Sequence, residues 1–309
     1  MLCGGRSFDS VLQSILSRAD ALGSVRTSVE ETIDTLDETF FATLSVRLKE
    51  APCEDLWIVM DALGEVFDRP ELMRTTAADE VLSRHWRGVD EFWTIDEAEE
   101  RAVDMDGVGA GSAAPDARAS TYGEITYAGA RSLFFSMGLT AKAADVSRRN
   151  SSNAPVVFAD LGSGAGRLVA QAWLELAPSS IIQSARGVEL APSRHQAAQQ
   201  AWASLVAAGD TPSAATLAKA GVAAHAPSFL LESILEADLS QATHVYVASL
   251  CMSDELLDAL WVRLRDEAPR LQVVASIREF RAAGADHVPQ VVPVAMNWNG
   301  CCKVHLYSF

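Results

Sequence analysis

One stretch constrains the fold of this chain more than any other. It is FADLGSGAGR, Phe158–Arg167, an apolar run ending in an aspartate and three alternating glycines. A short strand that enters a glycine turn and leaves as a helix (RLVAQAWLEL) is the first half of a βαβ unit. The pattern then repeats, with ARGVEL, SILEADL, THVYVASL and LQVVASI reading as strands. SRHQAAQQAWASLVAAG and SDELLDALWVRLRDE read as helices between them. Such alternation predicts a doubly wound, mainly parallel Rossmann-like sheet. The tail VVPVAMNWNGCCKVHLYSF breaks it: two β-rich runs flank Asn299-Gly300, a favoured hairpin pair. The expectation is a seven-stranded α/β sheet closed by an antiparallel hairpin. Residues 207–228 are Ala-rich and read as a surface insertion holding one helix.

Upstream the period changes. In SVEETIDTLDETFFATLSVRLKE, Val29, Ile33, Leu36, Phe40 and Leu44 recur at three- and four-residue steps, and CEDLWIVMDALGEVF repeats this with Leu56, Val59, Met60 and Leu63. TAADEVLSRHW and TIDEAEERAV read as shorter helices. Residues 1–105 are therefore expected to form an N-terminal helical domain. Residues 106–120, rich in Gly, Ala and Ser, read as a linker to a domain over 121–309. The first residues lack a basic start followed by a long apolar stretch, and no apolar run is long enough to span a bilayer, so an intracellular protein is expected. Five cysteines, odd in number and without metal spacing, fit a reducing compartment and no metal centre.

The glycine turn admits three ligands. A triphosphate loop needs Lys and then Ser or Thr after the last glycine, and this chain has Arg167-Leu168. A dinucleotide turn expects G-x-G-x-x-G, whereas Gly162, Gly164 and Gly166 are evenly spaced. Asp160, two residues before the first glycine, would also repel a pyrophosphate. The same carboxylate suits S-adenosylmethionine, which carries a sulfonium and an ammonium, and glycines let backbone approach its methionine part. Glu189, ending the second predicted strand, would accept from the ribose hydroxyls. Asp238, at the end of the third, would accept from the adenine amino group, with the Leu239 amide near the ring. A last strand reversed in direction is also the order found in class I methyltransferases.

YGEITYAG, FADLGSGAGRLVAQAW, GVEL, EADL and NWNGCCKVHLYSF together resemble the catalytic domain of the DOT1-like histone methyltransferases, over about residues 120–309. That family methylates lysine 79 of histone H3 on a class I fold. The resemblance implies that Tyr122, Gly123 and Glu124 close over the methionine end of the cofactor, with Glu124 at its ammonium. Asp160, Gly162, Ser163, Gly164, Gly166 and Arg167 would line that end, Arg167 standing where the family usually has Gln. Trp298 would match a tryptophan of the lysine channel. The departures lie on the acceptor side. Ala248 and Ser249 replace two Asn, Leu250 replaces Phe, His305 replaces Tyr, and a basic nucleosome-binding tail is not evident.

Tyr122, Ser249, Trp298 and His305 are therefore the candidate catalytic residues. His305 is a possible base because histidine titrates in the useful range. Ser249 and Cys251 are expected on one side of their strand, facing the acceptor. The formal net charge of −16 speaks against direct nucleic-acid binding. A protein lysine on a histone, with a nuclear location, is one acceptor; a small molecule in the cytoplasm is another. A non-catalytic cofactor-binding module remains open beside both.

Overall fold

The computed structural model describes residues 7–32, 38–51, 53–67, 78–87, 99, 123–139, 155–219, 226–297 and 302–309. The 106–120 linker lies outside them, as do Ile33 and Leu36, all of TIDEAEERAV except Glu99, and the Asn299-Gly300 turn.

Four helices open the chain: α1 (Phe8–Leu22), α2 (Val25–Thr32), α3 (Glu38–Glu50) and α4 (Glu54–Phe67). Ser7 caps α1 by accepting from the Ser10 amide, and Gly23 ends it in the left-handed region. The apolar stripes read from the sequence meet here. Ile15, Val29, Phe40, Leu44, Leu56, Val59 and Leu63 are buried in one cluster. Each such side chain contributes roughly 1.5–3 kcal/mol of burial. A fifth helix, α5, spans 78–85.

The sheet contains β1 (Val157–Leu161), β2 (Ser184–Glu189), β3 (Ser228–Leu231), β4 (His244–Val247), β5 (Val273–Ser276), β6 (Gln290–Val294) and β7 (Cys302–Ser308). Its order is β3-β2-β1-β4-β5-β7-β6. The first five strands are parallel, whereas β7 runs antiparallel to both β5 and β6. This is the seven-stranded sheet closed by an antiparallel hairpin that the sequence predicts. Between strands lie α6 (Tyr127–Ser136, before β1), α7 (Arg167–Leu176), α8 (Pro192–Ala208), α9 (Ala214–Lys219) and α10 (Asp254–Glu267). Period-two alternation divides the strands between two cores. Phe158, Tyr246 and Ala275 face α6 and α7, while Leu161, Val245, Val247 and Val274 face Leu260, Trp261 and Leu264 of α10.

Two expectations need correcting. The third strand is Ser228–Leu231, upstream of SILEADL, whose residues form the turn after it. Ile234, Ala237 and Leu239 of that turn are buried in the α10-side core, and it is this burial that imitates a strand pattern. The fourth strand ends at Val247, and Ser249–Cys251 is a 3₁₀ turn. Alternation therefore does not place Ser249 and Cys251 together. Among the described residues no helix is long and apolar enough to cross a membrane.

Candidate active site

Strand β1 delivers Asp160 and Leu161 to the carboxyl edge of the sheet, between β2 and β4. There the chain turns through Gly162 (φ +84°) and Gly166 (φ +75°), backbone that L side chains rarely adopt. Gly166 has a second reason to lack a side chain, since a Cβ there would come within 2.4 Å of the Phe229 ring and 2.8 Å of Ala198. The amides of Gly162 and Ser163 both donate to the Val188 carbonyl at 2.9 Å, which moulds the turn onto the end of β2.

Glu189 ends β2 beside this turn. Its Oε2 accepts from the Gly164 amide at 2.7 Å and its Oε1 from the Ala191 amide at 2.8 Å. The carboxylate is thus held rigidly with a lone pair left on each oxygen.

Asp160 stands differently. It is buried, and among the described residues its Oδ1 has no hydrogen-bond partner. Burial, and then the nearby carboxylates of Glu189 and Glu124, push its carboxyl up to about 8. A buried orphan oxygen facing two further carboxylates is costly unless a cation or donor satisfies it. A cationic or hydrogen-bond-donating group would answer this oxygen, and a phosphate would not.

Glu124 closes this corner. Its amide donates to Asn297 Oδ1 at 3.1 Å, and the Asn297 amide donates to its carbonyl at 2.9 Å. Thr126 Oγ1 donates to the Ala295 carbonyl and caps α6 through the Gly129 amide. The 123–126 segment is thus tied to the chain leading into the terminal hairpin. The Glu124 carboxylate already has a cation, since Arg167 Nη2 lies 2.6 Å from its Oε2. Arg167 also donates to the Ile125 carbonyl and lies over the Tyr127 ring at 4.8 Å. Beside Glu124, expected at the ligand ammonium and here paired with Arg167, Asp160 is the carboxyl whose Oδ1 has no partner among the described residues.

The structure gathers Glu124, Asp160, Gly162, Ser163, Gly164, Arg167 and Glu189 at one edge. Asp238 and Leu239 lie on the turn that follows β3. Asp238 is exposed on the turn after β3, its Oδ1 accepts from its own Ser240 amide, and its carbonyl accepts from Arg186. Leu239 is buried core. The acidic residue at the true end of β3 is Glu232, whose amide donates to the Glu189 carbonyl at 3.2 Å and continues the ladder.

Residues expected on the acceptor side lie next to the glycine turn. A Cβ on Gly162 would meet Met252 at 3.4 Å and Ala248 at 3.8 Å. Ser249 does not face outward as expected. It is fully buried, 2.7 Å from Ser276 Oγ, and accepts from the Arg278 amide at 2.8 Å, so it fastens β4 to β5. Cys251 is half-buried. His305 sits opposite Ser276 on β7, with Nδ1 3.2 Å from the Ile277 carbonyl. A carbonyl only accepts, so Nδ1 is the donor in this contact, which selects the Nδ1–H tautomer of the neutral ring. Tyr122 and Trp298 lie outside the described residues. Sequence reading missed Asn297, Ser276 and Glu232; only Glu232 left a signal, as an acidic residue directly after an apolar run. Among the described residues no three His, Cys, Asp or Glu side chains are placed to hold a metal ion.

No family model matches the chain, and no curated protein matches it in sequence. Solved structures do resemble it. An RNA methyltransferase from Salinibacter ruber, crystallised with S-adenosyl-L-homocysteine, is 22% identical over 53% of this chain and 90% of its own, with a TM-score of 0.31. Magnesium protoporphyrin IX methyltransferase from Synechocystis, with bound SAM, is 11% identical over 69% of this chain and 96% of its own, with a TM-score of 0.35. A putative tRNA (m1A22) methyltransferase from Streptococcus pneumoniae is 15% identical over 52% and 66%, with a TM-score of 0.34. Likeness at these scores decides nothing about chemistry, which falls to the residues of the site itself.

Proposed function

We propose that this chain is an S-adenosylmethionine-dependent methyltransferase acting on an amine. The observation that carries the reading is Asp160, a buried carboxyl with an orphan oxygen at the end of β1, beside a glycine turn and the fixed carboxylate of Glu189. Bound there, the cofactor would supply an electrophilic methyl group on a sulfonium. Asp160 would accept from its ammonium, and the glycine turn would face its methionine part. Glu189 would use its remaining lone pairs on the ribose hydroxyls. Glu232 and Ser233, after β3, would take the adenine role that the sequence pattern assigned to Asp238.

The protein's task in methyl transfer is alignment and exclusion of water, because the acceptor lone pair must attack in line with the departing sulfur. The acceptor would enter between the Gly123–Tyr127 segment, the Ala248–Met252 turn and the terminal hairpin. His305 Nε2 would take the proton that an amine must lose. A lysine side chain, as the DOT1-like resemblance implies, and a small amine both meet this requirement.

The test is a transfer assay with methyl-labelled S-adenosylmethionine against histones, RNA and a panel of small amines. Label entering one pool with the wild type, and lost with His305→Ala, supports the reading. Cofactor binding without transfer to any pool would return the chain to a non-catalytic cofactor-binding module.

A further inference from the structure

The glycine turn is held by a residue far upstream of the sheet in sequence. Trp86, at the end of α5, donates its indole Nε1–H to the Ala165 carbonyl at 2.8 Å, and both residues are almost wholly buried. Ala165 lies between Gly164, whose amide holds Glu189, and Gly166, which starts α7 against Phe229. We propose that Trp86 is a positioning residue for the cofactor turn, so that the N-terminal region completes the cofactor site. The inference rests on the proposed cofactor for its ligand, though not for its geometry.

Three features make this more than packing. First, α5 is embedded in the sheet domain: Ala78, Leu82 and Trp86 share a buried cluster with Ala170, Leu174, Ala197, Ala201 and Leu205. Second, polar contacts pin both ends of the segment. Asp79 pairs with Arg131 of α6 at its start. At its end His85 lies 3.0 Å from Ser204 Oγ, and Asp210 takes His85 and Arg84 at 2.7 Å each. Third, the contact falls on the one loop whose backbone must keep its shape. Left-handed glycines have the widest conformational choice, so a fixed carbonyl among them removes more freedom than one in a helix. The expected boundary between a helical domain and a sheet domain is crossed by this segment.

Trp86→Phe keeps most of the bulk and removes the donor. In the full chain, amide exchange over residues 162–168 should quicken about tenfold while exchange in β5 and β7 stays put, as a local opening requires. The Kd for S-adenosylhomocysteine should rise by a similar factor. Leu82→Ala, on the same helix without the hydrogen bond, should lower Tm and leave Kd within about twofold once folded. Unchanged loop exchange and Kd in Trp86→Phe would overturn the proposal and reduce Trp86 to core packing. A wild type that binds no S-adenosylhomocysteine would overturn the cofactor reading, and the exchange comparison would still decide the role of Trp86.

Discussion

Arg167 and Glu124 form an ion pair of 2.6 Å across the mouth of the site, with 11% and 9% of their side chains exposed. The pair joins the start of α7 to the segment ahead of α6. It leaves Asp160, rather than Glu124, as the carboxyl that a cationic ligand must satisfy. Breaking a pair this dry strands a charge. Arg167→Ala should therefore destabilise the fold by about 3 kcal/mol in denaturant titrations. Adding Glu124→Ala should recover part of that loss, and fully additive effects would show that the pair is not coupled.

Asp160 sets a pH dependence. Burial pushes its carboxyl from the ordinary 3.8 up to about 8 in the folded protein. The stability it contributes is thus full below about pH 4 and is lost as pH rises through about 8, by up to about 1.4 kcal/mol per unit. Asp160→Asn should flatten this part of the curve and raise Tm most at alkaline pH. Parallel curves for wild type and variant would contradict the burial argument.

Glu189 has two duties. Glu189→Ala should weaken cofactor binding by roughly 1.5–3 kcal/mol, the range for charge-assisted hydrogen bonds. From its position at a strand end the sequence predicts little effect on folding, but the structure corrects this. The substitution orphans the Gly164 and Ala191 amides, so stability should fall by about 1–3 kcal/mol. Glu189→Gln, which keeps one acceptor, should cost less in thermal melts.

His305, the proposed base, is oriented by the contact of its Nδ1 with the Ile277 carbonyl. His305→Ala should lower turnover by about 10²–10⁴-fold while cofactor affinity holds. A pH–rate profile identical to wild type from about pH 6 to 9 would make His305 a strand residue only.

The parts legible in the sequence are those where one local pattern decides the structure. FADLGSGAGR and GVEL were legible because the apolar run, the glycines and the acidic strand end stand within a few residues of one another. SILEADL misled because buried apolar residues in a turn can copy a strand's alternation, while the real β3 is only four residues long. Ser249 was misplaced because the strand gives way to a 3₁₀ turn, which sends its hydroxyl inward to Ser276. The Trp86–Ala165 bond spans 79 positions, and no single sequence encodes a contact of that separation. Arg167 was visible as an unexpected cation, but its partner was not.

The most direct test of the account is calorimetry of S-adenosylmethionine binding near pH 7 in buffers of different ionisation enthalpy. With a pKa of about 8, Asp160 holds its proton before the ligand arrives and gives it up to meet the ammonium. Binding should release close to one proton, and Asp160→Asn should bind more weakly and release almost none. Absence of binding, or tight binding with no proton release and no sensitivity to Asp160→Asn, would contradict it.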